Sequence, residues 1–185
     1  MMRLFIGIPL PRDYQQQLAA VSKKWQKRFK SKLSWTKPGN WHLTLKFLGD
    51  VHIEKRLELE RYMHDLSWEV FSVAGSKAGF FGSKGVYRVA WVGLDGDLER
   101  LADLARRIDA DLAAMGFSRE KRSFKAHLTL ARIKGFHRDD PWNELASDAG
   151  SRNWPCFKVR EAVLWESILK PAGPVYRPLS RIYLS

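Results

Sequence analysis

His42-Leu43-Thr44-Leu45 recurs 85 residues later as His127-Leu128-Thr129-Leu130, and the same offset carries Arg3-Leu4-Phe5-Ile6 onto Arg88-Val89-Ala90-Trp91. Two separate segments that repeat in one register, without a gap, predict two equivalent units. Each unit reads strand, helix, strand. In the first, Tyr14, Leu18, Val21, Trp25 and Phe29 recur at spacings of three and four and form one apolar helix stripe. Asp13, after Pro11, is placed to cap that helix. In the second, Leu98, Leu101, Ala105, Ile108, Leu112 and Met115 form the stripe, with Asp97 at its start and Gly116 positioned as C′. The expectation is two lobes related by a pseudo-two-fold axis.

The other segments fit around this pair. Residues 53–66 and 141–149 read as short helices, the second opening at an Asp-Pro junction. Residues 70–73, 86–94, 157–164 and 182–184 read as strands. Gly75 to Gly85 reads as a Gly/Ser/Lys loop, and Pro171-Ala172-Gly173-Pro174 as a turn. No linker or low-complexity tract interrupts the chain, so residues 1–185 are expected to form one bilobal domain.

Composition sets the class. Of 185 residues, 45% are hydrophobic and 12% aromatic, enough for a packed core and against an intrinsically disordered chain. No apolar window approaches the length of about 18 residues that a membrane helix needs. The apolar run Leu4 to Ile8, ending at Pro9, is too short for a signal peptide. The single cysteine, Cys156, cannot form an internal disulfide, so a reducing cytoplasm is expected; it reads as a buried, inert thiol. Lys and Arg number 32 against 20 Asp and Glu, a formal charge of +12. That excess favours a polyanion such as nucleic acid, the alternative being a solvated basic surface.

Alternation along a strand puts His42, Thr44 and Lys46 on one face and Leu43 and Leu45 on the other. His127 and Thr129 share a face in the second copy. If these faces meet, two imidazoles and two threonine hydroxyls line one groove. One imidazole can take a proton while the other gives one. The hydroxyls can donate to non-bridging phosphate oxygens, and Lys46 adds positive charge. A single His-x-Thr reads better as a structural histidine; two copies at matched places read as a site. No His-Glu-x-x-His, Cys-x-x-Cys or carboxylate cluster accompanies either histidine, so neither metal nor cofactor is expected. No Ser-His-Asp or Cys-His nucleophile is indicated. His52, His64 and His137 read as surface residues.

MRLFIGIP from Met2, WHLTLKFLG from Trp41, RVAWVGL from Arg88, AHLTLAR from Ala126 and LWESILKPAGPVY from Leu164 span nearly the whole chain. In this order they resemble the RNA 2′,3′-cyclic phosphodiesterases, also called 2′–5′ RNA ligases, of the two-histidine phosphoesterases. The resemblance implies an α+β fold in which two mainly antiparallel sheets line a central cleft with helices outside. It implies metal-independent hydrolysis of RNA 2′,3′-cyclic phosphate ends to 2′-phosphate ends, with 2′–5′ ligation as the reverse. It also implies that His42 is the proton donor and His127 the proton acceptor. The expected partners are such RNA ends or small cyclic nucleotides, with no membrane, for a monomeric protein. The alternative is a nucleotide- or RNA-binding module on the same scaffold without turnover.

The offset also pairs Phe47 with Arg132, each five residues after its histidine. Strict alternation buries both, which is poor for an unpaired guanidinium. A twist or strand end there would bring both to the cleft mouth, Phe47 to stack on a terminal base and Arg132 to bind phosphate or pack opposite. Ordinary core for Phe47 and a surface ion pair for Arg132 are the alternatives. Tyr176, in Gly-Pro-x-Tyr, is open between packing and substrate contact.

Overall fold

The computed structural model describes residues 1–171 and 173–185. Its strands are β1 (Met2–Pro9), β2 (Lys32–Trp35), β3 (His42–Val51), β4 (Phe71–Ser83), β5 (Val86–Gly96), β6 (His127–Gly135), β7 (Phe157–Val159), β8 (Glu161–Ile168) and β9 (Val175–Tyr183). The helices are α1 (Arg12–Trp25), α2 (Ile53–Asp65), α3 (Leu98–Ala114) and α4 (Trp142–Gly150). Hydrogen bonding runs in the order β7-β4-β5-β6-β3-β1-β8-β9, with β2 on β6, and every pairing is antiparallel.

The two expected sheets are the halves β3-β1-β8-β9 and β6-β5-β4-β7. They join through one residue pair, Leu43 with Leu128. These two residues are themselves equivalent in the repeat, so the pseudo-two-fold axis passes between them. A single bridge lets the halves splay into a cleft on one face while their apolar faces stay continuous on the other.

The helices cross over. α1 follows β1 but packs on the other half: the Trp25 indole N–H donates to Asp148 of α4 at 2.8 Å, and the Tyr14 ring stacks on Trp154 at 5.3 Å. Tyr14 Oη accepts from the Gly75 amide of β4 and donates to the Pro155 carbonyl, both at 2.6 Å. α3 follows β5 but reaches back: Asp109 meets Lys46 of β3, and Asp111 accepts from Tyr62 of α2 at 3.2 Å. Tyr14, Leu18, Val21 and Trp25 on α1, and Leu101, Leu104, Ala105, Ile108 and Leu112 on α3, are the buried stripes. At about 1.5–3 kcal/mol for each large apolar side chain, these stripes tie each lobe to the other's helix. The halves are therefore held together by their exchanged helices as well as by the Leu43–Leu128 bridge.

Several local expectations are corrected. α1 ends at Trp25, short of Phe29, and Pro11 rather than Asp13 occupies its N-cap. Asp97 does sit at the α3 N-cap, but its carboxylate accepts from the Ser72 amide instead of capping. Gly116 has φ +87°, as a left-handed helix stop requires. Residues 157–164 are two strands on opposite outer parts of the sheet, parted at Arg160. The Pro171–Pro174 turn includes residue 172, which lies outside the described residues. Cys156 is exposed, not buried.

The largest correction is Gly75 to Gly85, expected as a loop. Nearly all of it is strand β4, closed by a two-residue turn in which Lys84 and Gly85 both have positive φ, 50° and 75°. The other glycines serve close approach, not turning. A Cβ at Gly75 would lie 2.4 Å from the Trp154 indole, and one at Gly79 would lie 2.9 Å from that of Trp91. Among the described residues no helix is long and apolar enough to cross a membrane.

Candidate functional site

The cleft floor is built where β3 and β6 touch. Leu43 and Leu128 point into the core, so their neighbours His42, Thr44, His127 and Thr129 flank the axis on the opposite, partly exposed face. His42 Nδ1 donates to the Asn40 carbonyl at 2.8 Å, and His127 Nδ1 donates to the Lys125 carbonyl at 2.7 Å. The two acceptors are again 85 residues apart. A carbonyl only accepts, so each neutral ring carries its proton on Nδ1 and leaves Nε2 unprotonated and able to take a proton.

Both imidazoles resist protonation. Burial, opposed by the Asn40 hydrogen bond and reinforced by Arg132 and His127, lowers His42 to about 4. Burial also lowers His127, again with Arg132 adding to the shift. Arg132 thus acts on both rings from the cleft.

It reaches the cleft through a β-bulge. Between Ile6 and Gly7 the β1–β3 register skips Leu45, and between Ala90 and Trp91 the β5–β6 register skips Leu130. Leu45 and Leu130 are equivalent positions in the repeat. Each bulge shifts the alternation by one residue. Leu45 and Lys46 are consecutive buried residues, as are Leu130 and Ala131, and the next side chains, Phe47 and Arg132, turn outward. Phe47 is 59% exposed beside Phe5, Tyr176 and Arg3, which line a cavity of about 140 Å³ with Leu4, Gly49 and Ser167.

The same bulge removes Lys46 from the cleft. Its side chain is 4% exposed, and its ammonium pairs with Asp109 at 2.5 Å and donates to the Ser118 carbonyl at 2.6 Å. Lys46 is a strut between β3, α3 and the segment leading to His127, not a cleft cation. Asp109→Ala is expected to destabilise the fold by about 3–5 kcal/mol, because it strands a buried ammonium. Lys46→Met is expected to cost less, since Asp109 keeps Arg119 at 2.9 Å. Denaturant titration measures both; full stability in Asp109→Ala would show that the pair carries nothing.

Other residues at the site carry no motif. Phe5, 2% exposed, packs its ring 4.6 Å from His42, and Tyr176 meets the same imidazole edge-on at 5.1 Å. Burial raises the Tyr176 phenol, against Arg132 and Arg3, so it stays protonated. Gly7 lets the ring sit there: a Cβ would lie 2.9 Å from the Leu43 carbonyl and 3.4 Å from His42. On the other side Phe81 meets His127 edge-on at 4.9 Å. Phe5 and Phe81 read in the sequence as ordinary strand aromatics; only the cross-strand pairing puts them against the histidines. Among the described residues no group of three or more His, Cys, Asp or Glu side chains converges.

Two pseudo-symmetric lobes presenting paired His-x-Thr strands to one cleft define a two-histidine phosphoesterase. The family model for LigT-like phosphoesterases matches the chain twice, over residues 8–91 and 92–176, each match taking in one His-x-Thr strand. The chain belongs to this LigT-like phosphoesterase family. It is 31% identical over 180 residues to a protein of Archaeoglobus fulgidus named RNA 2′,3′-cyclic phosphodiesterase, covering 96% of this chain and 98% of that one. A Thermotoga maritima protein of the same name is 31% identical, covering 96% and 93%. Among solved structures, Escherichia coli LigT in apo form superposes with a TM-score of 0.80 at 27% identity, covering 100% of this chain and 98% of that one. The same protein complexed with 3′-AMP gives 0.77 at 28%, with the same coverage.

Proposed function

We propose that this protein hydrolyses RNA 2′,3′-cyclic phosphate ends to 2′-phosphate ends, and that the reverse of the same chemistry joins such an end to a 5′-hydroxyl through a 2′–5′ bond. The observation that carries the proposal is the pair of imidazoles beside the axis, each pinned through Nδ1 so that Nε2 is the atom left for proton transfer.

His127 takes a proton from water as its oxygen attacks phosphorus. The P–O3′ bond breaks, and His42 gives its proton to the departing 3′ oxygen. The phosphate stays on O2′. Attacking and leaving oxygens lie at opposite apices of an in-line displacement. The leaving oxygen belongs to the ribose, so the nucleoside lies on the His42 side. There the cavity beside Phe47 and Tyr176 offers aromatic walls to a base, with Arg3 at its rim. Thr44, Thr129 and Arg132 hold the phosphoryl oxygens as charge develops, which is the largest catalytic contribution of such a site. With His42 lowered to about 4, the acid becomes protonated near neutrality only with help from the anionic phosphate.

A module that binds without turnover gains nothing from two imidazoles held in one tautomer. A reducing cytoplasmic setting and a monomer belong to this reading, the former supported by the lone Cys156. The test is an oligonucleotide with a 2′,3′-cyclic end, incubated with the protein and EDTA. Turnover to a 2′-phosphate is expected. A 3′-phosphate product, or loss of activity to the chelator, would sink the mechanism.

A further inference from the structure

Position 40 and its equivalent, 125, hold their histidines alike through main-chain carbonyls, but their side chains differ. The Asn40 amide is tied to the Pro174 carbonyl at 2.7 Å. Lys125 is exposed, and its ammonium stands 6.0 Å from the centre of the Phe81 ring. Phe81 is half-buried, edge-on to His127, and leans on Trp91 at 5.1 Å with the rings tilted by 31°. Trp91 lies over Gly79 and Gly93: a Cβ at either would come within 2.9 Å or 3.2 Å of the indole. The second lobe thus builds an aromatic shelf with an exposed cation beside His127. Phe81 packs against His127, but water, the only group that hydrolysis must bring to that imidazole, needs neither a stacking face nor a cation there.

We propose that Phe81 and the Lys125 side chain form an acceptor subsite for the nucleoside whose 5′-hydroxyl attacks in the ligation direction, an inference that rests on the reaction proposed above. The 5′ oxygen bonds to phosphorus, the P–O3′ bond breaks, the hydroxyl proton passes to His127, and O3′ takes a proton from His42. No co-reactant is needed. The in-line geometry that puts the donor nucleoside beside His42 puts the acceptor beside His127. Its base stacks on Phe81, which every base can do because each has a π-face. The Lys125 ammonium meets the acceptor's own 3′ phosphodiester, so a dinucleotide is used better than a nucleoside.

The experiment mixes an oligonucleotide ending in a 2′,3′-cyclic phosphate with a 5′-hydroxyl dinucleotide and measures ligated and hydrolysed product together. In Phe81→Leu and Lys125→Ala the ratio of ligation to hydrolysis is expected to fall by about tenfold, whatever happens to hydrolysis through the contact of Phe81 with His127. A ratio within twofold of the unsubstituted protein in Lys125→Ala, whose exposed side chain leaves the fold intact, overturns the subsite. So does an unsubstituted protein that hydrolyses but incorporates no acceptor. If it does neither, the proposed reaction itself falls, and the subsite with it.

Discussion

His42→Ala and His127→Ala are each expected to slow hydrolysis of a 2′,3′-cyclic end by about 10² to 10⁴. Both rings are half-buried and held by one hydrogen bond each, so the substitutions remove the ring nitrogens while the flanking buried leucines keep the strands in place. The roles separate with a substrate whose 3′ oxygen is replaced by sulfur. A thiolate leaves as a stable anion and needs little protonation. The defect of His42→Ala should then largely vanish, while that of His127→Ala persists. Rescue of His127→Ala instead would exchange the roles. Rescue of neither would show that protonation of the leaving group does not limit the rate.

Arg132→Gln should have the next largest effect, a loss of about 10² to 10³ in kcat at its own optimum, because the cleft loses the guanidinium we propose to meet developing phosphoryl charge. It should also move the pH profile, and the sign is fixed. In the free protein, burial above all, with help from Arg132, depresses both histidines. The bell-shaped dependence of kcat/KM should therefore have its acid limb near the His42 value of about 4 and its alkaline limb below the usual histidine range near 6.5. Without the guanidinium each imidazole keeps its proton to higher pH, so both limbs shift to the alkaline side. For the unsubstituted protein, kcat should titrate at higher pH than kcat/KM, since bound phosphate favours the imidazolium. An unshifted profile in Arg132→Gln would place the guanidinium away from the rings.

The repeat made much of this legible in advance. His42 and His127 stand in equivalent places because the two Leu-x-Leu faces must both be buried, and a period of two then exposes the intervening His and Thr. The helix stripes of α1 and α3 were equally plain, since a period near 3.6 over several turns has one reading. Gly75, Gly79 and Gly82 misled, because glycine has two uses. It supplies turns, and it clears space beneath a neighbour; only the positions of the Trp154 ring at Gly75, the Trp91 ring at Gly79 and the Val86 backbone at Gly82 distinguish the second use from the first. The α1 end at Trp25 was hidden because Phe29 still packs on Trp142, at 4.7 Å, after the helix has stopped.

By itself, then, the sequence determined two lobes, the strands that carry the paired histidines, and the faces those histidines occupy. The lobes follow from the 85-residue repeat, and the faces from a period of two that each strand satisfies alone. The destinations of Lys46, Phe47 and Arg132 were decided only in the tertiary structure. A bulge is a property of two strands: β3 skips Leu45 against β1, and β6 skips Leu130 against β5, so that each stays in register with a twisted neighbour. One skipped residue in each copy sends a lysine to Asp109 on the core side and an arginine into the cleft. No periodicity within a single strand contains that shift, because its cause lies in the strand alongside.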